Sequence, residues 1–334
     1  MKKLTPFIFM LTIFIMLTSS AYALQYKHIV SFGDGFSDHN GLKTYVPSAP
    51  AKRTDGKLWV EIMAYDLFTT LDNRAIDGAM TSKHRDNEIQ AMSDAGDIPQ
   101  LGLISQVDRY LADSSDVVPE ETLFAISIGT NNVIKHILDG SPDSAFAAMV
   151  KDAMADITEA VTNLDEHGAR IFIFLMIPDL GKCPLFNKRS AEEIESISKI
   201  SELFNTHMTQ TLNSLLVKPG GYILHSFSLY HSFLYKTNTT DSYMTLDDQF
   251  NLTGNTNGPV EDYLYWDAVH VTKDFHEMIV MMMADSVYSE TSFSYYDVQE
   301  LIKKERSRWD AKNDRVIGLE EAIRALQVSS GLSN

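Results

Sequence analysis

Two residues in the last third of the chain, Asp267 and His270, have the types and spacing that acid–base catalysis requires. A carboxylate placed against one imidazole nitrogen fixes the tautomer of the ring and stabilises the imidazolium, which leaves the other nitrogen to exchange a proton with a substrate. On a helix, a three-residue separation would place both side chains on one face. A helix start capped by an aspartate has the same spacing, so the pair alone leaves both interpretations open.

A second stretch that could do chemistry ends a predicted strand near the N-terminus. Residues 28–32 form a short apolar run that predicts a buried strand, and Gly33-Asp34-Gly35 follows it as a sharp turn. A strand that stops in this way can present one side chain at the edge of a sheet, as nucleophile elbows do. Position 35 is a glycine, so the side chain that such a turn would present is missing.

These stretches carry a resemblance to a known family. Residues 32–38, Phe-Gly-Asp-Gly-Phe-Ser-Asp, resemble the first signature block of the GDSL (SGNH) esterases and lipases, usually written Phe-Gly-Asp-Ser-Leu-Ser-Asp. Residues 73–79, Asn-Arg-Ala-Ile-Asp-Gly-Ala, are similar to the second block, commonly Asn-Tyr-Ala-Val-Gly-Gly-Ala. Gly-Thr-Asn-Asn at 129–132 and Asp-Ala-Val-His at 267–270 resemble later blocks, in the family's order. The resemblance covers roughly residues 25–289.

The resemblance implies a role for each matching residue. Asp267 and His270 would be catalytic, and Gly78, Asn131 and the backbone N–H of Gly35 would form the oxyanion hole. Gly35 stands where the family has its nucleophilic serine. Because glycine has no group that can attack an ester carbonyl, the acyl-enzyme route is closed in this sequence.

Three interpretations of this departure remain open. The protein could be a pseudo-hydrolase that keeps the pocket and binds an acylated or glycosylated ligand. Alternatively, a water could occupy the space left by the missing hydroxymethyl group, with His270 activating it directly. In the third, Ser37 or Ser31 replaces the nucleophile; Ser37 is otherwise expected to cap the next helix, and Ser31 to pack within the sheet.

The elements that must position these residues alternate between strand and helix. Strands are predicted at 28–32, 123–128, 169–177 and 222–227, and helices at 101–111, 145–164, 190–216 and 272–288. This alternation predicts an α/β fold with a mainly parallel sheet covered on both faces. The resemblance specifies a three-layer α/β/α, flavodoxin-like sheet. Residues 237–261, rich in Thr, Asn, Asp and Gly, are predicted to form a long loop.

The N-terminus predicts export. Lys2 and Lys3, the apolar run 7–17 and the small residues of Ala21-Tyr22-Ala23 have the layout of a secretory signal peptide covering residues 1–23. The expected location is periplasmic or extracellular, with no stable membrane span after cleavage. The net charge of −17 argues against a nucleic acid as partner, because nucleic-acid binding requires basic patches.

The C-terminal segment 290–334 predicts a linker and a helix-loop-helix outside the main domain at 24–289. Its loop 310–321 resembles an EF-hand, with Asp310, Asp314 and Glu321 at positions 1, 5 and 12. Lys312 stands where a ligand oxygen is expected, and Arg315 replaces the turn glycine. We therefore expect weak calcium binding there, and no cofactor requirement for the main domain.

The sequence as a whole favours an exported acyl-ester hydrolase, with a small-molecule or lipid ester as substrate. A ligand-binding pseudo-hydrolase is the alternative.

Overall fold

The computed structural model describes residues 27–67, 69–84, 98–113, 121–215, 221–224, 238–246, 252–256 and 258–288. In chain order its helices and strands are β1 (His28–Gly33), α1 (Gly41–Tyr45), α2 (Trp59–Asp66), β2 (Thr70–Asn73), α3 (Leu103–Asp113), β3 (Thr122–Ser127), α4 (Thr130–Leu138), α5 (Asp143–Glu166), β4 (Ile171–Leu175), α6 (Ala191–Leu215), β5 (Gly221–Leu224), β6 (Asn238–Ser242), β7 (Met244–Leu246), β8 (Leu252–Asn255), β9 (Tyr263–Tyr265) and α7 (Lys273–Tyr288). Short 3₁₀ turns lie at Leu180–Lys182 and Val260–Asp262.

Five parallel strands form the central sheet, in the order β2-β1-β3-β4-β5. Every residue of β3 and β4 is buried, which requires that helices cover both faces of the sheet. The connection from β1 to β2 moves in one direction along the sheet, and the later connections move in the other. Because such crossovers are right-handed, α2 lies on one face of the sheet. The later connections place α3, α5 and α6 on the other face, where α3 packs on α5 and α5 on α6. The molecule therefore has the three-layer, flavodoxin-like arrangement that the sequence predicts.

The strand order places a topological switch point at the carboxyl ends of β1 and β3. The chain leaves β1 toward one edge of the sheet and leaves β3 toward the other, so the loops that follow the two strands diverge. Ligands of open α/β sheets bind at such a switch point. The paired residues Gly33 and Ser127 end the two strands, and the loops of the first and third signature blocks begin there.

Every predicted helix and strand of the main domain is found in the structure, but several short elements were not predicted and one predicted loop contains strands. The four predicted strands and four predicted helices are confirmed, with shifts of a few residues at their ends. α1, β2, α4 and β9 were not predicted, and α2 was indicated only by a partly helical spacing at 58–67. Most of β2 is only partly buried at the sheet edge, so its four residues, Thr-Leu-Asp-Asn, carry no apolar run.

The prediction of a long loop at 237–261 is wrong for the residues that the structure describes. This stretch contains β6, β7 and β8; β6 pairs with β9, and β7 pairs with β8 in antiparallel fashion. The hydroxyls of Thr245 and Thr253 lie 3.2 Å apart across the β7–β8 pair. Polar composition suggested a loop, but β-branched threonines also suit exposed strands and can hydrogen-bond across them.

The chain forms two compact units, Met1–Met281 and Met282–Asn334. None of the helices that the structure describes is long and apolar enough to cross a bilayer. The predicted signal peptide at 1–23 and the predicted calcium loop at 310–321 lie outside the described residues and stay predictions.

Candidate active site

The end of β1 is held by a glutamine from α3. Gly33 donates its N–H to Oε1 of Gln106 (2.8 Å), and Nε2 of Gln106 donates to the carbonyl of Gly33 (2.9 Å). Gly33 has φ +134°, and a Cβ there would collide with the carbonyl oxygen of Ser127. The first turn of the site therefore requires a glycine and a close approach of β3.

The loop after this turn is joined to the second signature block through Asp38. Its carboxylate accepts hydrogen bonds from the N–H groups of Gly41 (2.6 Å), Leu42 (3.0 Å) and Asp77 (2.7 Å). Burial raises the pKa of Asp38 to about 6, although these N–H donors favour the charged form. Asp38 thus fixes the backbone that carries Asp77 and Gly78.

Neither serine that was considered as a replacement nucleophile suits that role. Ser37 is fully buried, and its hydroxyl accepts a hydrogen bond from the indole N–H of Trp59 (3.0 Å). The prediction that Ser37 caps a helix is wrong, since the N-cap of α1 is Asn40. Ser31 lies within β1 and is also fully buried. Both hydroxyls pack in the interior, where they cannot meet a substrate.

Asp267 and His270 come together as predicted, but on a bend between β9 and α7. The helix begins only at Lys273, so the prediction that the pair shares a helical turn is wrong. Asp267 Oδ1 accepts the N–H groups of Val269 (3.0 Å) and His270 (2.8 Å) and lies 2.9 Å from Nδ1 of His270. These backbone bonds close a tight turn that holds the carboxylate against the ring.

Electrostatics strengthen this dyad. Burial alone would raise the pKa of Asp267, but the charge and hydrogen bond of His270, with Arg53 nearby, hold it well below its usual range. Burial alone would lower the pKa of His270, and Asp267 together with Asp77 raises it above its ordinary value. The charged forms of Asp267 and His270 therefore stabilise each other.

The position of the missing serine is already filled. A Cβ on Gly35 would collide with Nε2 of His270 and would lie 2.6 Å from Oδ1 of Asp77. No water can therefore stand at the Cβ position itself. The imidazole and a second carboxylate occupy it, and the two groups are 4.0 Å apart.

Arg53 holds the second carboxylate in place. Its Nε (3.0 Å) and Nη2 (2.8 Å) both donate to Oδ2 of Asp77, and its Nη1 lies 3.9 Å from Oδ2 of Asp267. One partly buried guanidinium therefore lies between both carboxylates that flank His270.

One predicted oxyanion residue, Gly78, lies in the loop after β2, and the other, Asn131, lies at the start of α4 and contacts that loop. Gly78 has φ +81°, a conformation that favours glycine. Asn131, in the first turn of α4, donates Nδ2 to the carbonyl of Ala79 (3.0 Å). An asparagine amide has two N–H donors, and this bond uses one. The structure thus brings the second and third blocks together, as the predicted roles of Gly78 and Asn131 require.

Sequence reasoning missed Asp77 and Arg53. The available signal was in the second block, where Asp77 stands at the first of two glycines in the family's Gly-Gly pair. Asp77 replaces a glycine of the family motif, and Gly35 replaces its serine. These two departures belong together, because the two positions face each other in the structure. Arg53 carried no such signal, because it lies in a loop outside every block.

Metal chemistry has no obvious site in the described part of the chain. No group of three or more His, Cys, Asp or Glu side chains is placed there to hold a metal ion. The three candidate calcium ligands, Asp310, Asp314 and Glu321, fall outside the described residues.

The chain is similar to several known proteins. Thermolabile hemolysin of Vibrio parahaemolyticus is 22% identical over 289 residues, which cover 78% of this chain and 64% of the hemolysin. Phosphatidylcholine-sterol acyltransferase of Aeromonas hydrophila is 25% identical over 191 residues, 54% of this chain and 52% of that protein. This chain therefore spans less than two thirds of the length of either relative.

Solved structures also match. Phospholipase A1 of Streptomyces albidoflavus NA297 superposes with a TM-score of 0.45 and 14% sequence identity, covering 78% of this chain and 99% of that one.

The family model described as GDSL-like Lipase/Acylhydrolase matches residues 29–283. With the parallel sheet and the Asp267–His270 dyad, this match, which covers most of the chain, establishes that the protein belongs to the GDSL-like lipase/acylhydrolase family.

Proposed function

We propose that this protein is an exported hydrolase that cleaves acyl esters of lipids or small molecules without a serine nucleophile. The observation that carries the proposal is the intact dyad: Asp267 holds Nδ1 of His270 at 2.9 Å while Nε2 faces the Gly35 position. This imidazole is directed at the point where the family's nucleophile stands, so it can exchange a proton with a group bound there.

Water is the nucleophile in the proposed reaction, because Gly35 offers no hydroxyl. The ester carbonyl would lie at the carboxyl ends of β1 and β3, with its oxygen toward the N–H groups of Gly35 and Gly78 and the amide of Asn131. His270 supplies acid–base catalysis. Loss of the nucleophile from a triad hydrolase leaves a residual acceleration of roughly a thousandfold over water, so we expect slow turnover.

Export and substrate class are supported from outside the site. The proposed signal peptide at residues 1–23 supports export to the periplasm or beyond. A lipid ester as substrate is supported by the similarity to a phosphatidylcholine-sterol acyltransferase.

The test is acid release from tributyrin and from a short-chain phosphatidylcholine, followed in a pH-stat. We expect H270A to lose about a hundredfold or more, the range that general acid–base catalysis contributes. His207 lies exposed on α6, so H207A is the matched control and should hydrolyse at the wild-type rate. Wild-type turnover no faster than that of H270A would refute the proposal.

The alternative function is that of a pseudo-hydrolase that binds an acylated ligand. It is favoured by the filled position beside Gly35, where Asp77 and His270 leave no room for a serine side chain. Binding of a non-hydrolysable ether lipid by a wild-type protein without esterase activity would support this alternative.

A further inference from the structure

The inference concerns Asp77 and rests on the proposed ester hydrolysis. We propose that Asp77 is the general base of this site and that His270 acts as the general acid, the reverse of the part that the histidine plays beside a serine.

The Asp77 carboxylate lies beside the position of the missing serine. Its Oδ1 lies 2.6 Å from the point where a side chain on Gly35 would begin, and 4.0 Å from Nε2 of His270. The structure thus places a carboxylate oxygen beside the site that the serine has vacated. Asp77 comes from the loop after β2, whereas His270 comes from the bend after β9, so the two groups face each other from separate segments.

Arg53 and Asp38 hold Asp77 in a fixed orientation. Two nitrogens of Arg53, Nε and Nη2, donate to the same oxygen of Asp77, Oδ2, while the carboxylate of Asp38 accepts the backbone N–H of Asp77. Oδ1 is thereby directed toward His270. A separation of 4.0 Å is too long for a direct hydrogen bond between Oδ1 and Nε2. It suits one water placed to the side of the line between them, within hydrogen-bonding reach of both atoms.

Several titratable and charged groups surround the imidazole of His270. The groups that face His270 are Asp267 on its own turn, Asp77 after β2, Asp34 after β1, Arg53 in the loop before α2 and His276 on α7.

Burial shifts two of these groups toward their neutral forms. Burial raises the pKa of Asp34 to about 7 and lowers that of His276 to about 3. The remaining carboxylates, Asp77 and Asp267, are balanced only when Arg53 and a protonated His270 are both present. A protonated imidazole cannot accept a proton from water, whereas a carboxylate can.

The reaction then needs one water and no acyl-enzyme. Asp77 Oδ1 takes a proton from the water as its oxygen attacks the ester carbonyl. When the C–O bond of the ester breaks, Nε2 of His270 gives its proton to the leaving alkoxide. The products are the acid and the alcohol, and transfer of the proton from Asp77 to His270 restores the starting state.

The experiment compares alkyl esters with p-nitrophenyl esters of the same acid. p-Nitrophenolate leaves without a proton, so a general acid matters little for it, whereas an alkoxide requires one. We expect H270A to lose about a hundredfold or more on the alkyl ester and far less on the p-nitrophenyl ester. D77N, which removes the base, should lose about a hundredfold or more on both esters.

D72N is the matched control for D77N. Asp72 also pairs with an arginine, Arg74, through a 2.8 Å bond, but at the end of β2 and with much greater exposure. We expect D72N to hydrolyse both esters at the wild-type rate. Thermal melting of D77N shows whether a loss of rate is a loss of fold, and the H270A comparison tests the assignment without any change at position 77.

The pH profile of the wild type gives an independent readout. If His270 is the acid, the rate must fall as pH rises through its pKa, which lies above the ordinary value of 6.5. If His270 is the base, the rate must rise over the same range.

The outcomes separate this inference from the proposed function. An active wild type in which folded D77N keeps its rate, or in which H270A loses equally on both esters, overturns the roles assigned here and leaves the proposed hydrolysis standing. A wild type no faster than H270A on the alkyl ester overturns both.

Discussion

At the scale of single residues, the site is defined by two changes that compensate each other in space. Gly35 has no side chain where the family motif has a serine, and Asp77 has a side chain where the motif has a glycine. The two positions face each other, with Oδ1 of Asp77 beside the point from which a Gly35 side chain would project. A carboxylate has thus entered the volume that a serine would need.

This arrangement predicts that G35S alone will not create a serine hydrolase. The new Cβ would collide with Nε2 of His270 and press on Asp77, and both groups are held by ion pairs. The double variant G35S/D77G removes the obstructing carboxylate and restores both residues of the family motif. We expect only the double variant to react with a fluorophosphonate, as an added mass in the intact-protein spectrum.

D77G alone is the control for that labelling, since it has the space but no hydroxyl. Labelling of G35S to the same extent as the double variant would show that Asp77 does not obstruct position 35.

The sequence predicted one site made of Gly35, Gly78, Asn131, Asp267 and His270. The structure places Gly35 beside the Asp267–His270 pair and joins Asn131 to the block that contains Gly78. The sequence was insufficient for Arg53, because its two bonds to Asp77 depend on how the loop before α2 folds over the site. Contacts between side chains of separate loops leave no periodic trace in a sequence.

At the scale of elements, the sequence predicted the fully buried strands but not the partly exposed strand at the sheet edge. β3 and β4 are buried at every position, so they appear in the sequence as continuous apolar runs. β2 lies at the sheet edge with most of its residues only partly buried, and its polar sequence gave no signal. The bend that carries Asp267 and His270 was mistaken for a helix, since a three-residue spacing suits a hydrogen-bonded turn as well as a helical one.

The junction of β1 with β3 is the element-level feature that the site depends on most. Gly33 combines φ +134° with a Cβ position that would collide with the carbonyl oxygen of Ser127. We expect G33A to lower the free energy of unfolding by about 3 kcal/mol or more, because backbone strain at positive φ and a steric clash both contribute. Urea denaturation followed by circular dichroism measures the loss.

Gly140 provides the matched control for G33A. It also has a positive φ, +61°, but no atom lies within 4 Å of the position of its Cβ. G140A should therefore lose only about 1 kcal/mol, the cost of the left-handed conformation alone. Equal losses in the two variants would mean that the contact with Ser127 adds nothing to the strain.

At the scale of the whole molecule, the sheet order determines where chemistry can occur. The order β2-β1-β3-β4-β5 places the divergence of the chain between β1 and β3, and three of the four signature blocks lie in loops after β1, β2 and β3. The fourth block arrives from a bend just before α7. The strand order therefore determines which edge of the sheet carries the site, and the identities at positions 35 and 77 set it apart from the family motif.

The C-terminal loop is an independent question for the whole chain, and its sequence predicts weak calcium binding. Lys312 brings a cation to the third ligand position, and Arg315 replaces the glycine of the sharp turn. We expect no heat of binding for the full-length protein at micromolar calcium. The double variant K312D/R315G restores an oxygen ligand and the turn, so it should bind calcium with a Kd below about 10⁻³ M.

Isothermal titration calorimetry, with the fluorescence of Trp309 as a second signal, measures both proteins. Adding E321Q to the double variant removes the carboxylate at position 12, which normally binds calcium through both oxygens, and should abolish the gain. Heat release near micromolar calcium by the unmodified chain would contradict the prediction, because it would mean that a lysine at the third position does not repel the ion.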